Sequence, residues 1–276
     1  MHTTRIRGNK NDRAVSESIG FIIIFGIIIA GIGLVTLYGY PMLLQQQSSS
    51  DEQIMEKNMI VLQNDLKSLA YKTVPYKETS LKVGGGSLTV YNMSYKQTTF
   101  SIYDDSAKIL KEDGTFATAA LPLEFSPGSL RYESTSAQTG MALENGAVVK
   151  RMLAQEGSTM LAEPRWFYDS QTHTAVIYLI GFNATDIMSQ SGIGTVKMEL
   201  DPTKTTSAAY DLPAGDKVYV KYTNQTIDTD YSTAWENYFV TTMKMDGGTA
   251  GPDLYRMPTD MTRLVINRYE IIIKSV

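Results

Sequence analysis

The sequence predicts an α+β protein. A long N-terminal membrane-spanning helix continues into an amphipathic helix packed on a mainly antiparallel, β-sandwich-like domain. Three observations predict it. Ile19 to Tyr40 is a 22-residue run without a charged side chain, IGFIIIFGIIIAGIGLVTLYGY. Met55, Met59, Leu62, Leu66 and Leu69 follow at 4-3-4-3 spacing, the repeat of one helix face. Beyond Pro75, short runs alternate apolar and polar residues as strands do.

At 1.5 Å per residue the 22-residue run spans about 33 Å, enough to cross a hydrocarbon core of roughly 30 Å. The preceding leader carries Arg5, Arg7, Lys10 and Arg13 against Asp12, a net +3. The whole chain is −4, so residues 14–276 carry −7. The positive-inside rule puts the leader in the cytoplasm and the large C-terminal part outside, with Tyr38 and Tyr40 at the outer interface. Gly26 and Ala30 form a small-xxx-small pair suited to close helix packing. Pro41 should kink or end the membrane helix.

Gln45 to Asp51 has no apolar residue and reads as a spacer or exposed helix. In the amphipathic helix that follows, Glu52, Glu56, Lys57, Gln63, Asp65 and Lys67 are expected on faces other than the seam. That helix should stop before Pro75. Strands are expected at Ser87–Tyr91, Thr99–Tyr103, Ala175–Ile180, Thr195–Leu200, Lys217–Tyr222 and Leu264–Lys274. In the last, Val265, Tyr269, Ile271 and Ile273 should share one face, and Arg268, Glu270 and Lys274 the other. Asp113-Gly114 and Asn145-Gly146 predict hairpin turns, and Gly84-Gly85-Gly86 a turn without the lysine of a phosphate loop. Thr233-Ala234-Trp235-Glu236 matches a capping box opening a helix whose Trp235, Tyr238 and Phe239 share a face.

The inventory for chemistry is poor. No cysteine is present, which excludes thiolate nucleophiles, Cys-ligated zinc and iron–sulfur clusters. His173 is the one histidine beyond the leader and reads as a solvent-exposed turn residue. Asp228, Asp230 and Ser232 alternate like the start of a calcium loop, but Thr233 and Phe239 stand where its glycine and glutamate belong. Glu124 and Glu133 read as surface charges. No catalytic residue, cofactor or metal is expected, and the acidic balance argues against nucleic acid as a partner. Asn92, Asn183 and Asn224 begin N-x-[ST] sequons, candidate glycosylation sites on an external domain.

The segment Asp12-Arg13-Ala14-Val15-Ser16-Glu17-Ser18-Ile19-Gly20, entering an isoleucine-rich helix, resembles the N-terminus of archaeal type IV pilin-like proteins. The resemblance implies that residues 1–13 are a class III signal peptide removed by a prepilin peptidase at Arg13–Ala14. A second basic-to-small junction lies at Arg7–Gly8, but cutting there would leave charges ahead of the helix. Glu17 would then be the fourth mature residue, where bacterial pilins place at the fifth a glutamate proposed to pair with a neighbour's amino terminus; this makes Glu17 a candidate assembly contact. A helix-start glutamate favoured by the macrodipole explains it equally. Four further phrases are Glu144 to Lys150, Ser158 to Pro164, Ser191 to Val196 and Ala234 to Phe239. In this order they resemble archaeal membrane-anchored, pilin-like proteins whose ectodomain has no assigned activity.

The expected division is therefore a leader at 1–13, a transmembrane or filament-core helix at 14–44, a spacer and amphipathic helix at 45–74, and an extracellular β domain at 75–276. The expected function is a pilin-like subunit that packs with copies of itself or related subunits and exposes a β head for adhesion. The alternative is an extracellular binding domain that stays anchored in the cell membrane.

Overall fold

The computed structural model describes residues 10–72, 74–104, 109–110, 116–117, 124–212, 217–225, 230–247 and 253–276. For residues 10–17, 104, 109–110, 116–117 and 124 it describes the backbone alone. The Asp113-Gly114 turn and Asp228 lie outside the described residues. The chain divides into two units, Met1–Ser49 and Ser50–Val276.

The first unit is helical. Helix α1 (Lys10–Leu34) passes through a π-helical turn (Val35–Gly39) into α2 (Tyr40–Lys72). Pro41 therefore does not end the helix. In the π turn the Tyr40 N–H bonds to the carbonyl of Val35, five residues back. This wider turn relieves the clash a proline ring makes with the preceding turn, so the helix absorbs Pro41. The polar stretch after it is helix, exposed or half-exposed from Gln45 to Ser50 and buried at Asp51, so the exposed-helix reading holds up to Ser50.

The second unit joins the last part of α2 to two sheets. The nine-stranded sheet runs β10 (Phe167–Asp169), β11 (Thr174–Asn183), β16 (Arg263–Ser275), β12 (Ser189–Asp211), β1 (Tyr76–Tyr91), β6 (Ser129–Ser134), β7 (Thr139–Glu144), β8 (Ala147–Met152), β9 (Ser158–Ala162). Its pairs are antiparallel except β11–β16. A seven-stranded, antiparallel sheet runs β14 (Asp246–Gly247), β15 (Leu254–Arg256), β13 (Val218–Asn224), β2 (Thr98–Asp104), β3 (Ile109–Leu110), β4 (Phe116–Ala117), with β5 (Glu124–Phe125) on β2.

The nine-stranded sheet is the middle layer. On one face its residues Leu88, Leu130, Met141, Leu143, Ile180 and Phe182 pack on the α2 seam, whose five residues are each 0% exposed. The neighbouring Ala142, Val149 and Leu179 point the other way, into a core shared with the second sheet and helix α3 (Ser232–Asn237). Trp235, Tyr238 and Phe239 fill that core from α3 and the π turn after it, as their spacing predicts.

Four details depart from the sequence reading. Gln63 is not on an outer face. It is 1% exposed and donates to the Gly146 carbonyl at 2.7 Å and the Glu163 carbonyl at 2.9 Å. The Gly84–Gly86 run is no turn between strands but a bulge inside β1, at the register break between Val83 and Leu88. Any side chain on Gly86 would collide with the Glu133 backbone. In β16 the expected residues do share faces, but the face with Arg268, Glu270 and Lys274 is not all solvent: its Leu264 and Ile266 enter one core, Ile271 and Ile273 enter the other, and Glu270 is 8% exposed while Lys274 is exposed. Lastly, the capping box does not form: α3 starts at Ser232 behind Tyr231, and the Asp230 carboxylate accepts the Ser232 N–H at 2.8 Å.

The Asn145-Gly146 turn forms as predicted, with φ of 46° and 77°, the positive pair of a type I′ hairpin. It is buried, however, not exposed. The free edge of β11 is sealed beside it. The Ile180 N–H donates to Asn145 Oδ1 (2.9 Å), the Phe182 N–H to the Pro127 carbonyl (2.7 Å), and Trp166 Nε1 to the Tyr178 carbonyl (2.6 Å).

Two stability measurements check this packing by denaturant unfolding. Leu66→Ala removes a fully buried seam residue and should cost about 2–5 kcal/mol. Gln63→Leu strips the donor from two carbonyls and should cost about 1–3 kcal/mol despite its added apolar surface.

Candidate membrane and assembly helix

Among the described residues one helix is long and apolar enough to cross a membrane. Its large apolar residues from Ile19 to Leu44 are all exposed, from 47% at Leu44 to 73% at Met42. Fully burying each such side chain is worth about 1.5–3 kcal/mol, so a surface of this size is not stable in water. It requires lipid or other helices.

The helix brings Gly26 and Ala30 onto one face, one turn apart, with nothing within 4 Å of the space a side chain on Gly26 would fill. Gly20, Gly31 and Gly33 are equally open. The Arg13–Ala14 bond lies in the backbone of α1, as does Glu17, whose side chain is outside the described residues together with those of Arg13 and Ala14. The Arg7–Gly8 junction is outside the described residues altogether. Thr36 Oγ1 donates back to the Ile32 carbonyl at 2.9 Å, keeping its hydroxyl satisfied on an apolar surface.

In the β domain, His173 sits in the turn before β11 with its side chain 45% exposed. Its ring Nδ1 lies 3.0 Å from Asp260 Oδ2 and 3.5 Å from the Tyr168 hydroxyl. Tyr168 in turn donates to Asp260 Oδ1 at 2.6 Å, and this bond lowers the Asp260 carboxyl below its ordinary range. The ring's partners are thus an orienting carboxylate and a phenol, and among the described residues no Ser or Thr hydroxyl is bonded to it. Among the described residues no three His, Asp or Glu side chains converge to hold a metal. Glu133 pairs with Arg131 at 3.8 Å.

Two of the sequons are brought together. Asn92 opens a 3-10 turn (Met93–Tyr95), accepts the Ser94 N–H at 3.0 Å, and donates to the carbonyl of Ala184, inside the second sequon, at 3.0 Å. Asn183 is exposed and donates to Glu270 Oε1 at 2.6 Å. Asn224 ends β13, and its Thr226 is outside the described residues.

Sequence reasoning missed Glu144. It is 1% exposed and accepts from Trp235 Nε1 (2.6 Å), Thr98 Oγ1 (3.3 Å) and the Tyr222 hydroxyl (3.4 Å). Nothing in its spacing marks it, because a glutamate ahead of Asn-Gly ordinarily faces water. Gln63 did leave a signal, one turn after Met59 and next to Leu62.

Burial pushes the Glu144 carboxyl above the ordinary carboxylate range, against the Trp235 N–H, the Arg131 charge and the two hydroxyls, which favour the ionised form. The folded state therefore holds this proton more tightly than the unfolded one. Glu144 favours folding most below the ordinary carboxylate range, and that contribution is lost as pH rises. Denaturant unfolding from about pH 4 to about pH 7 should show Glu144→Gln gaining on the wild type with rising pH. A difference that does not change with pH would mean the carboxyl titrates normally.

No curated protein and no solved structure matches the chain. One family model does, over residues 13–272, from the leader's last residue to β16. The match takes in the apolar helix, the seam and both sheets together, and the chain belongs to the family described as a family of unknown function (DUF7289).

Proposed function

We propose that this protein is a pilin-like structural subunit of an archaeal type IV pilus or related cell-surface assembly. One observation carries the reading. A helix whose large apolar residues are all exposed, with open space at Gly26, precedes, without a break in helical structure, a seam built into a β domain. In this reading a prepilin peptidase cuts Arg13–Ala14, and Ala14 to Leu44 leaves the membrane to pack with copies of itself or related subunits. Glu17 contributes to that contact, and the β domain faces outward for adhesion. The size of residues 75–276 suits a minor or specialised subunit. No catalytic role or cofactor enters the mechanism: burial of apolar helices drives assembly.

The same helix also suits a bilayer, with Tyr38 and Tyr40 near one end of the run. The second reading is accordingly an extracellular binding domain anchored permanently by residues 14–44. In either case the leader stays in the cytoplasm and Asn92, Asn183 and Asn224 remain candidate glycosylation sites.

Intact mass and N-terminal sequencing of the native protein, from washed membranes and from the sheared surface fraction, separate the two. The filament reading expects a chain beginning at Ala14 in the sheared fraction. A chain that retains Arg13 and occurs only in membranes would overturn it.

A further inference from the structure

The nine-stranded sheet extends beyond the helix that covers it. On the helix side of β11, Phe182 and Ile180 are 0% exposed, while Tyr178, Val176 and Thr174 are only half-buried. β16 grades the same way, from buried Ile273 and Ile271 through half-buried Tyr269, Asn267 and Val265 to exposed Arg263. In β12, Met198 is buried and Ser207 and Ala209 are exposed. Helix α2 stops at Lys72, and no described element covers the rest of this face.

Strand register sorts the uncovered residues into rows. Phe167, Val176, Val265 and Ala209 pair in succession across β10, β11, β16 and β12. They form an apolar strip about 14 Å long and one residue wide. Phe167 is 44% exposed. Tyr178, Asn267 and Ser207 flank the strip toward the helix, and Asp169, Thr174, Arg263 and Asp211 form the row beyond it, where Arg263 pairs with Asp211 at 3.8 Å. Beside Tyr178 stands the exposed Arg165, its guanidinium 5.4 Å from the centre of that ring and 4.7 Å from that of Tyr71. Among the described residues no carboxylate pairs with Arg165, in a chain of net charge −4. Stacking on tyrosines fixes a guanidinium while leaving its edge N–H groups free for a bidentate contact.

We propose that this face binds an acidic saccharide chain. The apolar strip is too narrow for an amphipathic helix, whose buried stripe is about 100° wide. The open area, about 14 by 17 Å, is far below the roughly 800 Å² per partner of a stable protein interface. A sugar chain fits both limits. Its rings present narrow apolar C–H faces rimmed by hydroxyls, which match a strip bordered on its helix side by Tyr178, Asn267 and Ser207, the side on which Arg165 stands and away from Asp169 and Asp211. A carboxylate on the sugar supplies the fork partner that Arg165 lacks. The proposal rests on the reading of the β domain as external, and gives its adhesive role a substrate class.

The test is calorimetric titration of the purified full-length chain in detergent with a short β-1,4-oligoglucuronate and with the cello-oligosaccharide of equal length. The expected result is saturable binding of the oligoglucuronate, about tenfold tighter than the neutral chain. Arg165→Gln should abolish the preference and Phe167→Ala should weaken both, with thermal midpoints unchanged. Absence of saturable binding, equal affinity for the two sugars, or variants indistinguishable from wild type would overturn it. So would light scattering that shows a dimer dissolved by Phe167→Ala. The titration is independent of N-terminal processing, so it and the filament reading can fail separately.

Discussion

Three consecutive residues join the layers of the β domain. Glu144 accepts from Trp235 of the α3 layer, Asn145 accepts the Ile180 N–H at the edge of β11, and the Gly146 carbonyl accepts from Gln63 of α2. A tight hairpin turn exposes its backbone groups and normally spends them on water. Here the turn is buried, and the Glu144 carboxylate, the Asn145 side-chain oxygen and the Gly146 carbonyl each take a partner from a different element, while among the described residues the Asn145 side-chain nitrogen has none. The positive φ at both central positions explains why Asn-Gly serves here: one position tolerates the left-handed region through its short amide, the other through having no side chain.

The apolar helix imposes the opposite constraint. The large apolar residues from Ile19 to Leu44 are all exposed, a surface that lipid or other apolar helices would stabilise. One helix thus carries two kinds of surface in sequence: apolar all round up to Leu44, polar to Ser50, then apolar on a single seam. The π turn before Pro41 lets the helical backbone continue past a residue that would otherwise interrupt it.

Legibility in the sequence followed the strength of the periodicity. The 4-3-4-3 seam and the Asn145-Gly146 turn could be read directly, because helix spacing and left-handed backbone demand specific residue types. Glu144 could not be read as buried, because a polar side chain looks the same in sequence whether water or a protein group satisfies it, and Gln63 betrayed itself only by its place beside the seam. Alternation in β16 sorted its residues onto the right faces but not their burial, because a central strand meets a core on each side, as at Glu270, and its half-buried Tyr269 and Asn267 reflect where α2 ends. The Gly84–Gly86 run looked like a turn, yet close approach of the Glu133 backbone is what requires Gly86. Of the candidate site, the apolar run and its small residues were legible in full, while the uncovered strip on β10, β11, β16 and β12 needed the register.

The absence of cysteine makes the helix accessible to one direct measurement. A single Ala30→Cys substitution places the only thiol of the chain on the open small-residue face, and a disulfide forms only when two such residues approach within about 7 Å between Cα atoms. After mild oxidation of intact cells, helices packed in an assembly should yield a disulfide-linked dimer of the full chain. A thiol that stays reduced in the chain while reacting freely with a membrane-permeant maleimide would show the helix alone in lipid, and would contradict the assembly account.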